Sequence, residues 1–362
     1  MTTQLFGWAV VLCAGATASA APRYTVTRID PGPGNTEARP AAINDNGLIT
    51  GHIDKGPSGS DDGPNVPFVW NGSGPLRELP ATGFGVSVNN RGEVLGGSGA
   101  FGGGGVFVWS EAAGMRHIAP PGGRELTGPR DINDDGTIVV EFFDPTTQSI
   151  NGTARRLADG TFEEVQGFRP SFRTEVINAT GAVVGSGAVW GADGVVRPLS
   201  TPPGGQGHNG LAINDAGLVA GTYSVEQEGS FRSAMAVWRA DGSVIAVPLI
   251  AGVDVASQEP LGLNNAGQVV GYTNLTNHDN DAFYWSEAEG TIDLQTLLDS
   301  SAAGWDLQWA TDINEAGQII GVATFQGGGF QGVLLTPVPE PSLPGAAMFI
   351  AAVVMLRRFR RR

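Results

Sequence analysis

The side chains of this chain best suited to act on a ligand are scattered along it: Asp54, Asp61, Asp62, Glu226, Glu228, His278, Asp279 and Trp305. Carboxylates beside an exposed indole suit a sugar, whose hydroxyls bond to the acids while its apolar face stacks on the ring. The same carboxylates suit calcium. Recognised catalytic patterns add nothing sharper. His52, His117, His208 and His278 lie far apart without metal-ligand spacing, and no Gly-x-Ser-x-Gly elbow is present. Gly97-Ser98-Gly99-Ala100-Phe101-Gly102 has dinucleotide spacing, yet it runs into Val106-Phe107-Val108-Trp109, a strand pattern where phosphate binding needs a helix N-terminus. Asp131 to Gly136 opens like a calcium loop, but Phe142 stands where the twelfth-position carboxylate is required. No catalytic residue and no resident metal or cofactor is therefore assigned, calcium on the loop acids being the one ion these residues would suit.

The elements that position these residues come from a recurring phrase. It is Ile43-Asn44-Asp45-Asn46-Gly47 in its first copy and Ile313-Asn314-Glu315-Ala316-Gly317 in its last, with its asparagines at 44, 89, 133, 178, 214, 264 and 314. A spacing of about 45 residues means a repeat architecture. Each phrase reads as a hairpin: a short apolar strand, a polar turn whose glycine takes positive φ, and a β-branched strand closed by a second glycine such as Gly51, Gly221, Gly271 or Gly321. A second hairpin follows in most copies, opening on Phe68-Val69-Trp70, Phe107-Val108-Trp109, Ala188-Val189-Trp190, Ala236-Val237-Trp238 or Phe283-Tyr284-Trp285. Four short strands per copy make a propeller blade, so the expectation is an all-β, seven-bladed β-propeller of four-stranded blades. The seventh copy ends one strand short at Gly332 to Leu335, while Arg23 to Asp30 reads as a strand with no copy of its own. That first strand is expected to close the ring. The copies differ mainly in the loops between their second and third strands, which with the linkers between blades emerge on one face and carry the acids and Trp305; the turns themselves account for the asparagines.

These copies resemble the HAF repeats of exported bacterial proteins, whose core is Ile-Asn-x-x-Gly. The resemblance covers residues 41 to 335 and implies export but no particular activity. The third copy departs from it, with Val140 in place of the glycine and Arg156 in place of the tryptophan.

Both ends of the chain read as addresses. Met1 to Ala20 has an apolar core around Phe6 to Ala14 and ends in Ala18-Ser19-Ala20, the small-x-small pattern of signal peptidase. At the other end Pro339-Glu340-Pro341 precedes an apolar run from Leu343 to Leu356 and the basic block of Arg357, Arg358, Arg360, Arg361 and Arg362. A run of 14 residues makes a helix of only about 21 Å, short of the roughly 20 residues of an ordinary span, but terminal arginines can snorkel to extend it. The order resembles the PEP-CTERM sorting signal of Gram-negative bacteria, which implies processing by a membrane-embedded exosortase and the company of exopolysaccharide production.

The formal net charge is −15, and the single cysteine, Cys13, lies within the leader, so the mature chain would hold no disulfide. An acidic body repels nucleic acid and anionic lipid, which excludes both as partners. The sequence thus divides into a signal peptide (1–20), a propeller (21–336) and a sorting tail with a short membrane helix (337–362). It predicts a protein exported across the inner membrane, held there transiently by its tail and then released to the envelope or beyond. There it would act as a binding module for exopolysaccharide. The alternatives are a polysaccharide lyase or hydrolase and a purely structural matrix protein.

Overall fold

The computed structural model describes residues 23–56, 64–97, 105–122, 124–144, 149–164, 176–227, 229–249, 255–276 and 280–339. The leader, the apolar run and the terminal arginines lie outside these residues, as does the sorting helix expected there. Among the described residues no helix is long and apolar enough to cross a membrane.

The described residues are all-β apart from two short 3-10 turns, Leu294–Leu297 and Ser300–Ala302. After β1 (Arg23–Arg28), the first repeat holds β2 (Glu37–Ile43), β3 (Ile49–Asp54), β4 (Asn65–Trp70) and β5 (Arg77–Glu78). The second holds β6 (Phe84–Val88), β7 (Val94–Gly97), β8 (Val106–Ser110) and β9 (Gly114–Ile118). β10 (Glu125–Ile132), β11 (Ile138–Asp144), β12 (Ser149–Arg156) and β13 (Phe162–Glu164) form the third, and β14 (Val176–Ile177), β15 (Val183–Gly185), β16 (Ala188–Trp190) and β17 (Val196–Pro198) the fourth. The fifth and sixth are β18 (Gly205–Ile213), β19 (Val219–Gln227), β20 (Ser230–Trp238), β21 (Val244–Ala246), then β22 (Val255–Leu263), β23 (Val269–Leu275), β24 (Asn280–Ser286) and β25 (Gly290–Asp293). The last repeat has three strands of its own, β26 (Trp305–Ile313), β27 (Ile319–Phe325) and β28 (Phe330–Val338).

Each repeat is an antiparallel meander, and the fifth and sixth are joined by one parallel pair between Ser233 and Ser257. β1 supplies the fourth strand of the last sheet, in the order β1-β28-β27-β26, with Arg23 opposite Val338 and Arg28 opposite Val333. β28 therefore runs through Pro337 to Val338, two residues that the sequence pattern had placed in the tail.

Successive side chains of a strand point to opposite faces, and here both faces are covered. In β4, Phe68 and Trp70 enter a core shared with Ile320 and Leu334 of the last repeat, while Val69 enters one shared with Val94 and Phe107 of the second. The other cores also lie between consecutive repeats, among them Val184 with Trp238 and Tyr284 with Leu307. Among the described residues hydrophobic burial has no single centre and is spread over the seams.

The third repeat shows why it departs from the phrase. Register places Arg156 opposite Ile138, the slot Trp70 fills opposite Ile49. Its neighbour Arg155 is buried, donates to the carbonyls of Gly181 and Gly191, pairs with Glu163 at 2.9 Å and lies 4.0 Å over the Trp190 ring. A guanidinium thus ties the third repeat to the thin fourth one, where two or three residues per strand leave little apolar area to share.

The recurrent glycines do not close their strands, contrary to the sequence reading: β3, β19, β23 and β27 continue beyond them. Gly51, Gly221, Gly271 and Gly321 each face a bulge in the first strand of the repeat, where a Cβ would collide with the carbonyl oxygen of Arg39, Asn209, Glu259 or Trp309.

Tyr24 of β1 is wholly buried against Tyr284, Leu298 and Leu335, and its carbonyl accepts from the Asp299 N–H. Its hydroxyl has no hydrogen-bond partner among the described residues. Tyr24→Phe is accordingly expected to leave stability unchanged, whereas Tyr24→Ala should cost about 3–5 kcal/mol by urea denaturation. Deleting residues 23–28 should lower the melting temperature further and cause self-association through the bared edge of β28. A deleted chain that sediments as a monomer with native stability would overturn this role for β1.

Candidate ligand-binding faces

The two edges of the sheets differ. One carries the phrase turns and will be called the turn face; the other carries the longer loops between second and third strands.

At the turn face every phrase glycine has φ between 72° and 86°, and every phrase asparagine is nearly inaccessible. The asparagine Oδ1 accepts from the backbone N–H four residues on, at 2.9–3.1 Å, which fixes the turn. Its Nδ2 donates to the carbonyl of the asparagine in the next repeat, at 2.8–3.2 Å. The donations run from Asn44 to Asn89 and onward to Asn314, whose Nδ2 returns to the Asn44 carbonyl. Sequence reasoning found the turn bond and missed this second one. The available signal was the choice of amide: aspartate or serine would fix the turn equally well, but aspartate, once ionised, cannot also donate.

A second cycle lies outside the first. The N–H of Asp45 donates to Asn90 Oδ1, that of Asn90 to Asp134, that of Asp215 to Asn265, that of Asn265 to Glu315 and that of Glu315 to Asp45, all at 2.7–3.0 Å. Ala179 interrupts it, having no side chain to accept from Asp134. The two cycles rim a cavity of about 180 Å³.

Deeper along the inner strands, Asp131 accepts from Ser87 Oγ and the Ile177 N–H, and Asp312 accepts from the Ile43 N–H at 3.0 Å. Each residue keeps part of its surface accessible, yet its carboxylate is enclosed by protein. Burial pushes Asp131 up to about 6 and Asp312 up to about 7, outweighing the backbone N–H bonds that pull both down; Asp131 and Asp45 add repulsion at Asp312. These oxygens are engaged with backbone donors, so the two acids join neighbouring inner strands. Asp131 is thus held as an inter-repeat link and not as the first ligand of a calcium loop.

Beside the mouth, between the fourth and fifth repeats, lies a groove of about 680 Å³ walled by Val189, Leu199, Val219 and Trp238. Its rim carries the Asp193–Arg197 pair at 2.6 Å, in which the Arg197 hydrogen bond holds the Asp193 carboxyl well below the usual range.

The loop face is where the acids and Trp305 were expected to gather. Asp61, Asp62, Glu228, His278 and Asp279 lie outside the described residues. Asp54 is half-buried and its Oδ1 accepts from the Gly56 N–H, while Glu226 is exposed near the end of β19 opposite Phe231. Trp305 is not a linker residue: it opens β26 and is half-buried, its ring 5.0 Å from that of Phe325. Asp54, Glu226 and Trp305 leave the sheets at the same edge, and no hydrogen bond joins them. What the sequence reading missed is the phenylalanines. Phe231, Phe325 and Phe330 are 64%, 37% and 39% exposed, and all three sit at this edge.

The histidines are held separately. His52 stacks edge-on against Phe84 at 4.7 Å, His208 lies 5.9 Å from Trp238, and His117 is exposed on β9. Among the described residues no group of three or more ligating side chains is placed to hold a metal.

Residues 204–336 match the model of a family described as a protein of unknown function (DUF3466). No curated protein matches the sequence. Among solved structures, the β-propeller domain of the Trilobed protease from Pyrococcus furiosus aligns with 85% of this chain and all of its own, at 9% identity and a TM-score of 0.48. Pyrococcus horikoshii acylaminoacyl peptidase aligns over 84% of this chain and 52% of its own (11% identity, TM-score 0.46). A putative gluconolactonase aligns over 88% and 93% (12% identity, TM-score 0.41). Likenesses this distant lend the chain no activity.

Two outcomes test the turn face. Asn214→Asp keeps the turn acceptor but removes the donor to the buried Asn264 carbonyl, and is expected to cost about 1–3 kcal/mol in urea denaturation. The raised acids set a pH dependence. Protonated in the fold at a pH where the unfolded chain is ionised, they contribute stability that is complete below about pH 4. That contribution is lost as pH rises through about 6 for Asp131 and about 7 for Asp312. His52, which burial and then Arg39 lower to about 4, acts oppositely, its contribution being present above about 6.5 and lost as pH falls through 4. Asp312→Asn leaves His52 in place, so between pH 4 and 8 the wild type should lose roughly 2–4 kcal/mol relative to the variant. Parallel pH profiles would show that Asp312 does not titrate.

Proposed function

We propose that this chain is a closed, seven-bladed β-propeller exported to the cell envelope, where its loop face binds an extracellular polysaccharide. The observation that carries the binding reading is the pair of exposed phenylalanines, Phe325 and Phe330, at that face beside Trp305 and Trp309. Exposed apolar rings in a chain otherwise rich in buried seams mark a surface used for contact. Aromatic faces flanked by carboxylates and amides are the chemistry of sugar recognition. The closed count of seven rests on the cycle of asparagine bonds, which returns from Asn314 to Asn44, and on the pairing of β1 with β28.

Export and sorting rest on the end segments: the leader before Ala20, and Pro339-Glu340-Pro341 with its apolar run and arginines, which resemble a PEP-CTERM signal. Signal peptidase and an exosortase are the processing partners this implies. Glu340→Ala, or removal of Arg357 to Arg362, is expected to impair processing in the envelope without lowering the melting temperature, since the paired strand ends at Val338. Mass spectrometry of the exported protein checks it; a mature chain intact through Arg362 would overturn the sorting reading. For binding, the purified full chain should retain polysaccharides on a glycan array with and without calcium, and retention of none in either condition would overturn the binding reading.

A further inference from the structure

We infer that the last repeat carries a polysaccharide subsite: one neutral pyranose ring stacks on Phe330, backed by Trp309, with Asp306 and Thr324 taking its hydroxyls, and a second stacks on Phe325, backed by Trp305. This rests on the binding reading above and assigns it a place and a sugar class.

Strand register brings the groups together. Asp306 is opposite Thr324 in β27, and Thr324 is opposite Phe330 in β28. Directly opposed residues of antiparallel strands leave the sheet on the same side, with Cβ atoms about 4.5–5.5 Å apart. A carboxylate, a hydroxyl and a phenyl ring thus form one row at the loop edge. The Asp306 carboxylate is oriented by Gln308, whose Nε2 donates to Oδ2 at 2.9 Å. Phe330 packs against Trp309 with ring centroids 4.9 Å apart and planes at 55°, which supports one side of the phenyl ring while 39% of the residue stays exposed.

The opposite flank of the sheet repeats the device. Trp305 faces Phe325 across the first and second strands, and the Trp305 carbonyl accepts from Gln295 Nε2 at 3.0 Å. Phe325 remains 37% exposed. The two phenylalanines flank the turn Gln326-Gly327-Gly328-Gly329, so each side of the β27–β28 hairpin ends in an exposed ring backed by an indole.

Charge selects the sugar class. Residues 240–356 contain no lysine or arginine, so the strands that carry the phenylalanines and indoles offer no cation of their own, and Asp306 repels a uronate, sulfate or phosphate; the arginines of this sheet, Arg23 and Arg28, stand on β1, Arg28 opposite Val333 and inward of Phe330. A neutral pyranose chain avoids that repulsion and offers both an apolar C–H face and hydroxyls within reach of Asp306 and Thr324.

The test is calorimetric titration of the full chain with cellohexaose as a neutral probe and hexagalacturonate as an anionic one. Phe330→Ala should weaken cellohexaose binding about tenfold at unchanged melting temperature, as loss of one supported aromatic stack implies. Phe330→Tyr should retain it. If the wild type retains glycans but Phe330→Ala binds cellohexaose as tightly, the subsite is wrong and the binding reading stands. Tighter binding of hexagalacturonate than of cellohexaose overturns the neutral class. A wild type that retains no glycan at all overturns the binding reading and the subsite with it.

Discussion

The fold depends on a single side-chain property: a carboxamide both accepts and donates. At the phrase asparagines the acceptor is used within the repeat and the donor between repeats, so the geometry of a four-residue turn and the spacing of neighbouring sheets are set by the same atoms. A local feature and a global one cannot then drift apart. Where the amide is buried, leaving either function unmade would strand a polar group away from water, which is why both halves of the contact are kept in every copy.

Around that rim the chain alternates rigid and adaptable solutions. In the first, fifth, sixth and last repeats the bulges and the side-chain-free glycines let the first strand lie close to the second, and apolar seams fill the space outward. Where a seam is thin, as beside the fourth repeat, a buried arginine and its tryptophan replace area with directed contacts. Between inner strands of neighbouring repeats, Asp131 and Asp312 also capture backbone N–H groups. The repeats are therefore equivalent in hydrogen-bonding plan and unequal in what fills their seams.

Much of this plan was legible in the sequence because it is local and periodic. The phrase turns, the Phe-Val-Trp strands and an unpaired first strand facing an incomplete last repeat all follow from residue order, and β1 does lie against β28. Contacts between repeats were not legible, since period 2 and turn chemistry say nothing about which carbonyl lies across a seam. The asparagine donor, the mid-strand place of Gly51 and the Arg155 link all belong to that class. The loop acids were chosen for residue type alone. The described ones do not converge, whereas Phe325 and Phe330 went unnoticed because they flank a glycine turn that resembles any other hairpin.

β28 joins two features at its two ends. Phe330 begins it at the loop edge, and Val338 ends it at the turn edge, where Arg23 is its partner. Nine residues of extended chain span about 30 Å between them. A molecule held by the segment beyond Val338 and pulled at Phe330 would carry that load along the strand axis. β1 on one side and β27 on the other would then resist in shear, with many hydrogen bonds strained at once and none opened singly in sequence. The strand that completes the last sheet would therefore also be its mechanical spine, and β1 would act as a brace whose strength scales with the length of its register.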